Sequence, residues 1–324
     1  MKNLTVLLIT FSILLAQSAI AQDAHFSQFY ANPVNLNPTM VGMSGNFRAI
    51  VAHRQQGTST EGYTTSAFSF DSPLATNSGW GVQVIHDSQM NGLLNTTSYY
   101  GSLGHRIDIN KNSQLGIGLR LGAYQKAFDW SRLTFEDQLD QRDGMVGTTN
   151  ERFGRNQVSN MDIALGMMYT SNTLFAGATV GHVNRPKENF AVDTENSVPL
   201  KYTIHAGGFI NLINYRRQAY VLSPNVIYER QGSFQYLHLG MYYGNDVWTV
   251  GGWYRVNDAV IASLGINVSK FKIGYSYDFP VADYKSVSGN AHELSIGYQF
   301  KYNKKRKIKN TYKGKCPPFQ KHLF

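Results

Sequence analysis

The sequence predicts an all-β protein, a transmembrane antiparallel β-barrel of about fourteen strands with a short N-terminal plug segment and a basic C-terminal tail. Three observations support this fold class. Apolar residues alternate with small or polar residues along most of the chain, the composition is rich in aromatic residues and glycine, and long connections alternate with short ones. Alternation with a period of two indicates strands rather than helices.

The N-terminal residues are expected to form an export signal. A single positive charge at Lys2 precedes an apolar run, Leu4 to Leu15, which is too short to span a bilayer as a helix. The small residues Ala19 and Ala21 then provide a cleavage pattern, so Gln22 is expected to begin the mature chain. The predicted units are the signal peptide 1–21, a periplasmic or plug segment 22–46, the barrel 47–302 and the tail 303–324.

Composition supports a β protein outside the cytoplasm. The chain has 20 Tyr, 18 Phe and 30 Gly but only 9 Pro, which is typical of strands and not of disordered segments. Its single cysteine, Cys316, excludes an internal disulfide framework.

Period-two alternation appears in about fourteen segments. In "SQLGIGLRLGAY", Leu115, Ile117 and Leu119 share one face, while Gly116 and Gly118 share the other. A bulge is expected at Pro224, because proline cannot donate a hydrogen bond and a closed barrel has no free edge. The predicted strands are 47–54, 62–71, 79–88, 94–107, 113–127, 157–170, 172–184, 199–213, 218–229, 234–245, 247–257, 259–268, 270–280 and 290–302.

Connection lengths favour a membrane barrel over a soluble sandwich. The connections 128–156, 185–198 and 281–289 follow odd-numbered strands and are long, whereas 245–246 and 269–270 follow even-numbered strands and are tight turns. Residues 72–78 form an exception of medium length on the short side. Long loops on one side and short turns on the other are typical of outer-membrane barrels. An even number of strands returns the chain to the periplasmic side, which places the tail in the periplasm. The long connection 128–156 follows an odd-numbered strand and is therefore expected outside the cell.

Positive charge is concentrated in the tail. Nine of the 30 basic residues and no acidic residue fall in 301–324, which leaves 21 residues of each sign elsewhere. This distribution gives little support for nucleic-acid binding by the barrel. The tail is either a solvated extension or a docking element for periplasmic partners. The candidate docking residues are Lys304, Lys305, Arg306, Lys307, Cys316 and Phe319.

The last strand ends in a pattern that resembles the C-terminal insertion signal of outer-membrane barrels. Its residues are Ser295, Gly297, Phe300 and Tyr302. The usual signal lies at the extreme C-terminus, whereas here further residues follow Tyr302.

Several segments resemble the PorP/SprF family of type IX secretion system outer-membrane proteins. They are "QDAHFSQFYANPVNLNPTMVG" from Gln22, "FSFDSPLATNSGWGVQVIHD" at 68–87, "SVSGNAHELSIGYQF", and the lysine-rich tail that closes in "KCPPF". The resemblance extends to Phe319, and "HFSQFYANPVNLNP" is its most specific motif. It implies a component of protein export and gliding in Bacteroidota, which works with secretion apparatus and, in some members, delivers or retains a large adhesin.

The opening motif has the chemistry of a plug or latch. We expect its four rings to lie on one side of a short helical turn, because their spacing is i, i+1, i+4 and i+5. The two prolines are expected to hold the preceding asparagines extended. Such a segment could enter the periplasmic mouth of the barrel, and the alternative is a simple N-terminal strand extension. The candidate residues are His25, Phe26, Phe29, Tyr30, Pro33 and Pro38.

No catalytic, cofactor-binding or metal site is predicted. Seven histidines are scattered singly with no metal-binding spacing, and neither a nucleophile elbow nor a phosphate loop is present. The favoured function is a non-enzymatic partner of the secretion apparatus and of a large exported surface protein, in contact with outer-membrane lipid. A channel for hydrophobic or small solutes is the alternative. An outer-membrane hydrolase assembled from distant residues is less favoured.

Overall fold

The strands of the barrel account for most of the chain. The computed structural model describes residues 23–57, 62–134, 138–140, 144–145, 155–190, 196–213, 219–281 and 289–300. The strands are β1 (Phe47–Gln56), β2 (Tyr63–Ala75), β3 (Ser78–Gln89), β4 (Leu94–Asn110), β5 (Ser113–Phe128), β6 (Leu139–Asp140), β7 (Gly144–Met145), β8 (Gln157–Ser171), β9 (Leu174–Gly181), β10 (Lys201–Gly208), β11 (Ile210–Ile213), β12 (Ala219–Gln231), β13 (Phe234–Gly244), β14 (Trp248–Arg255), β15 (Ala259–Val268), β16 (Phe271–Pro280) and β17 (Ala291–Phe300).

Fourteen of these strands close into an antiparallel barrel. Each barrel strand pairs with its neighbours in the chain, and the ring closes where β1 pairs with β17. The predicted strand 199–213 appears as β10 and the additional strand β11, both of which pair with β12. The hairpin of β6 and β7 forms a separate two-stranded sheet. The predicted antiparallel β-barrel of about fourteen strands is therefore confirmed, whereas the plug and the basic tail stay predictions.

The alternation separates an apolar outer surface from a polar interior. In β17, Leu294 and Ile296 point outward with 46% and 44% of their surface exposed, whereas Glu293 and Ser295 point inward and are buried. In β5, Ile117 points outward while the glycines of the motif face inward. An apolar outer band around a polar interior is the pattern of a membrane barrel.

The two ends of the barrel differ in their connections. At one end, here called the tight-turn end, strands are joined by residues 76–77, 111–112, 172–173, 214–218, 245–247 and 269–270. At the other, here called the long-connection end, the stretches 129–156 and 182–200 join strands, together with short turns at 232–233 and 256–258. The exception expected at 72–78 disappears, because β2 continues to Ala75 after a register shift between Pro73 and Ala75.

The expected bulge at Pro224 is wrong. The register between β12 and β13 runs without a shift past the pair of Pro224 and Met241. On the other side, Gly207 faces Asn225 and Ile210 faces Leu222, so no extra residue is inserted. The break lies instead in the partner strand at Phe209, whose backbone N–H bonds to Thr173 O at 2.7 Å. The sheet thus accommodates the missing donor of proline by interrupting the neighbouring strand.

Residues 23–46, here called the N-terminal segment, precede β1 and lie inside the barrel. The segment contains 3-10 turns at Phe29–Ala31 and Pro38–Met40 and a short α-helix at Pro33–Leu36. Residues 26–34 and 36–43 are buried against inward-facing side chains of the strands.

No helix among the described residues has the length and apolar character needed to cross a membrane.

Candidate functional site

The N-terminal segment runs along the barrel interior from one end towards the other. Near its beginning, Asp23 Oδ2 lies 3.0 Å from Nε2 of His182, which follows β9 at the long-connection end. Near its end, Gly42 N–H donates to Asp71 Oδ2 at 2.8 Å in the tight-turn half. The sequence placed this segment at one mouth of the barrel, whereas its contacts extend through the interior.

The motif's rings point to different walls of the barrel. Phe26 packs against Ala52, Ala67 and Ile85 of β1, β2 and β3. Phe29 has its ring centroid 5.1 Å from that of Trp253, on the opposite wall. The expectation that the rings share one side of a helical turn is wrong, because helical structure begins only at residue 29.

A buried carboxylate binds the backbone immediately before the first 3-10 turn. Glu293 accepts hydrogen bonds from the backbone N–H groups of Ser27 and Gln28, at 2.6 Å and 3.1 Å. These donors precede the turn and have no partner within it, so the barrel wall supplies their hydrogen bonds. Sequence patterns could not reveal this, since the partners are separated by more than 260 residues.

Two arginines and a second carboxylate extend this buried network. Ser27 Oγ donates to Asp278 Oδ2 at 2.7 Å. Arg54 and Arg255 also reach Asp278 Oδ2, at 2.9 Å and 3.0 Å. The two guanidinium groups and the two carboxylates of the network are almost fully buried. Charge-assisted bonds of this kind are among the stronger hydrogen bonds in proteins.

The second part of the segment packs through its backbone. A Cβ atom added at Gly118 would lie 2.7 Å from Pro38 C, and one at Gly104 would lie 3.2 Å from Thr39 O. Glycine on the inner face therefore allows the segment to approach the strands closely. The inward glycines were visible in the sequence and were the one local signal of this contact.

Asn37 joins that part of the segment to three elements. Its Nδ2 donates to Met167 O at 3.0 Å and lies 3.2 Å from His205 Nε2. Its Oδ1 accepts the backbone N–H of Thr39 at 3.0 Å and so caps the second 3-10 turn. As expected before proline, Asn37 is extended, with φ −154° and ψ 122°. The same expectation is wrong for Asn32 before Pro33, whose ψ is only 55°.

The beginning of the segment carries an ion pair outside the strands. Burial alone would raise the pKa of Asp23, but the positive charges of His182 and Lys201 outweigh it and hold this pKa well below its usual value. Burial opposes the charge of His182, yet Asp23 and Asp162 raise its pKa to about 10. Both groups are therefore charged over a wide pH range.

The histidines separate into outer and inner groups. Outer-face histidines bond to hydroxyl groups of neighbouring strands, as His53 Nδ1 does to Ser66 Oγ at 2.9 Å. His86, His105 and His292 have the same kind of partner. In contrast, His238 lies inside the barrel with His25 and Glu229, whose ligand atoms all fall within 4.8 Å of one another. The sequence spacing gave no indication of this cluster.

The other predicted sites are only partly described. Ser295 and Gly297 face the interior, and Ser295 Oγ donates to Gln28 Oε1 at 2.7 Å. Phe300 points outward at the end of β17. Their role as an insertion signal stays a prediction. The residues of the predicted signal and tail that lie outside the described part are Tyr302, Lys304, Lys305, Arg306, Lys307, Cys316 and Phe319.

Comparisons with solved structures return barrels of several kinds. The toluene transporter TbuX of Ralstonia pickettii is 12% identical, with 82% of this chain and 92% of that chain covered and a TM-score of 0.49. The TodX deltaS2S3 mutant monoaromatic hydrocarbon channel is 9% identical, with coverage of 86% and 95% and a TM-score of 0.46. BamA from Haemophilus ducreyi lacking POTRA domains 1-3 is 8% identical, with coverage of 79% and 70% and a TM-score of 0.38.

Sequence comparison is more specific. No curated protein matches the chain. The family model of type IX secretion system membrane protein PorP/SprF matches residues 18–298, which is most of the sequence.

Proposed function

The chain belongs to the PorP/SprF family of type IX secretion system membrane proteins, and on that premise we propose that it is a non-enzymatic platform for a large exported surface protein, such as an adhesin. The protein is an outer-membrane β-barrel. In the proposed role it assists the export or surface retention of its client and contacts components of the secretion apparatus.

The observation that carries this proposal is the occupied barrel interior. A polypeptide or solute moving through the barrel would have to displace residues 26–43, together with the buried bonds of Ser27, Gln28 and Asn37. Unpairing buried polar and charged groups is costly. The occupied interior therefore favours a barrel that binds partners at its two ends over a barrel through which the exported protein passes.

The two ends offer different surfaces in this proposal. The connections 129–156 and 182–200 would face the exterior and meet the exported protein. The tail, with eight basic and no acidic residues in 303–324, would face the periplasm and meet the apparatus through charge. Placing a cysteine at Thr148 tests this topology in intact cells. Labelling at 148 without labelling of native Cys316 supports it, and the reverse pattern contradicts it.

The function is tested by comparing the full-length protein with a truncation after Tyr302. Both are purified from native outer membranes, and the exported surface protein is quantified on the same cells. We expect the full-length barrel to retain apparatus components in a salt-sensitive manner, because exposed charges are screened by salt. The truncation should assemble, shown by heat-modifiable migration, but lose these partners and lower surface display.

Reconstituted barrels separate the proposed role from a channel. Little solute flux through the full-length protein, together with client loss in its deletion strain, supports the platform. Solute flux at the rate of an open pore, with unchanged surface display in the deletion strain, overturns it in favour of the channel.

A further inference from the structure

His25, Glu229 and His238 form a cluster that the proposed function leaves unused. His25 belongs to the N-terminal segment, while Glu229 and His238 lie on the adjacent strands β12 and β13. The three side chains come from two separate parts of the fold and converge inside the barrel. A ligand held by all three would therefore connect the segment to the barrel wall.

The distances are close to those of a metal site. His25 Nδ1 lies 3.3 Å from Glu229 Oε2, and His238 Nε2 lies 3.9 Å from the same oxygen. Tetrahedral zinc with bonds of about 2.0–2.1 Å separates its ligand atoms by about 3.3 Å. The pair of His25 and Glu229 already has this separation. The pair of His238 and Glu229 is about 0.6 Å wider, and the two histidine nitrogens lie within 4.8 Å of each other, so the side chains must move closer around an ion. Two imidazoles and one carboxylate also form a common zinc ligand set.

The nitrogen atoms of the cluster lack other partners. His238 is fully buried, and neither of its ring nitrogens has a hydrogen-bond partner among the described residues. Nε2 of His25 is likewise buried and without one. A buried polar atom without a partner is costly and calls for an explanation such as an ion. A metal bond to Nε2 of His238 would remove this cost at that nitrogen.

The surroundings of the cluster contain two further cations. Lys201 lines the same cavity, and its charge interacts with Glu229 as well as with Asp23, whose Oδ2 lies 3.6 Å from Lys201 Nζ. Arg255 is paired with Asp278 and Asp258. The adjoining cavity of about 20 Å³ has room for one water as the fourth ligand.

We propose that His25, Glu229 and His238 bind a divalent transition-metal ion, with Zn²⁺ as the fitting species, and that the ion clamps the N-terminal segment to β12 and β13. Imidazole ligands favour zinc, copper and nickel over magnesium and calcium. The clamp adds a bond at the part of the segment nearest the long-connection end. Its presence does not depend on the proposed secretion role.

The test is a zinc titration of the purified full-length barrel in detergent, with a chromophoric chelator as competitor and no polyhistidine tag. Wild-type protein should bind one equivalent more tightly than the variants His25→Gln and His238→Gln. Loss of a ligand should weaken this site at least about tenfold, since even outer-shell changes weaken metal sites by about 10–100-fold. His53→Gln, which changes an outer-face histidine, is the matched control and should bind like wild type.

A second readout tests the clamp itself. Zinc should slow hydrogen exchange in residues 25–31 of wild type and of His53→Gln, but not in the two ligand variants. Heat-modifiable migration reports folding, and Glu229→Gln replaces His238→Gln if that variant fails to fold. Equal zinc binding by wild type, His25→Gln and the second ligand variant would overturn the proposal. Zinc binding without any change in exchange would overturn the clamp.

Discussion

Two parts of the N-terminal segment are held inside the same barrel by different physics. The first part, residues 25–31, is bound mainly through side chains: the ring of Phe29 packs against His238 and Trp253, and carboxylates and arginines surround Ser27. The second part, residues 37–43, lies with its backbone against inward glycines. There the carbonyl of Val41 accepts from Arg106 at 3.0 Å.

The contacts of the first part can be altered by solution chemistry, whereas those of the second part are set mainly by shape. Titratable groups and candidate metal ligands concentrate around the first part, so charge, pH and ions can change its docking. The second part depends mainly on the absence of side chains on the strands, which solution conditions do not alter, and has fewer charged contacts, at Asp71 and Arg106. We therefore expect the first part to detach from the barrel wall more readily than the second. Hydrogen exchange measures the local opening of each part separately.

The largest effect is expected when the rings of the first part are removed. Replacing Phe26, Phe29 and Tyr30 together by Ala should cost about 3–5 kcal/mol of docking free energy for each large ring. Exchange should rise strongly in residues 25–31 and less in 37–43, and protease nicking before residue 40 should increase. Phe68→Ala, on the outer face, is the control. Unchanged nicking and unchanged secretion would show that the segment is not a latch.

Removing the central charge should have the next largest effect. Glu293→Gln keeps the side-chain shape but weakens the bonds from Ser27 and Gln28, and each bond to a charged group is worth about 1.5–3 kcal/mol. Faster exchange should be confined to the first part. The matched control is Glu188→Gln, which disrupts the pair with Lys126 without touching the segment. Equal effects of the two variants would count against the network as the anchor.

A side chain added to the inner face should break the second part. Gly118→Val places atoms where Pro38 and Thr39 now lie, and overpacking of this kind costs about 1–3 kcal/mol. Residues 37–43 should exchange faster. Gly252→Val is the control, because an added Cβ there meets nothing within 4 Å. If exchange rises only in the first part, the two parts do not dock independently.

The smallest effect is expected from pH, acting near Asp23. The raised pKa of His182 contributes stability that is complete below its ordinary value of 6.5 and lost as pH rises through about 10. The lowered pKa of Asp23 contributes stability present above its ordinary 3.8 and lost as pH falls through the lowered value. Exchange of residues 23–28, corrected for intrinsic rates, should be slowest between these limits. His182→Gln should flatten the alkaline rise.

The fold was largely predictable from the sequence, and the interior was not. The strand pattern, the closed barrel and the tight turns follow from a period of two, which is local. Phe26 and Phe29 were identified as buried candidates, yet their separate walls were not. The residues between them are bound by Glu293 and Asp278, which lie about 250 or more residues away in the sequence.

The sequence by itself determined which residues face lipid, where strands turn, and that an aromatic segment precedes the barrel, because these depend on near neighbours. Only the tertiary structure decided that the strand break near Pro224 lies at Phe209 of the neighbouring strand, while the strand that contains Pro224 continues. It also decided that His25 meets His238 and Glu229. Closing the barrel brings strands that are distant in the sequence around the N-terminal segment. The side chains that contact the segment depend on the register of strand pairing and on the space in the lumen, and no local sequence pattern specifies either.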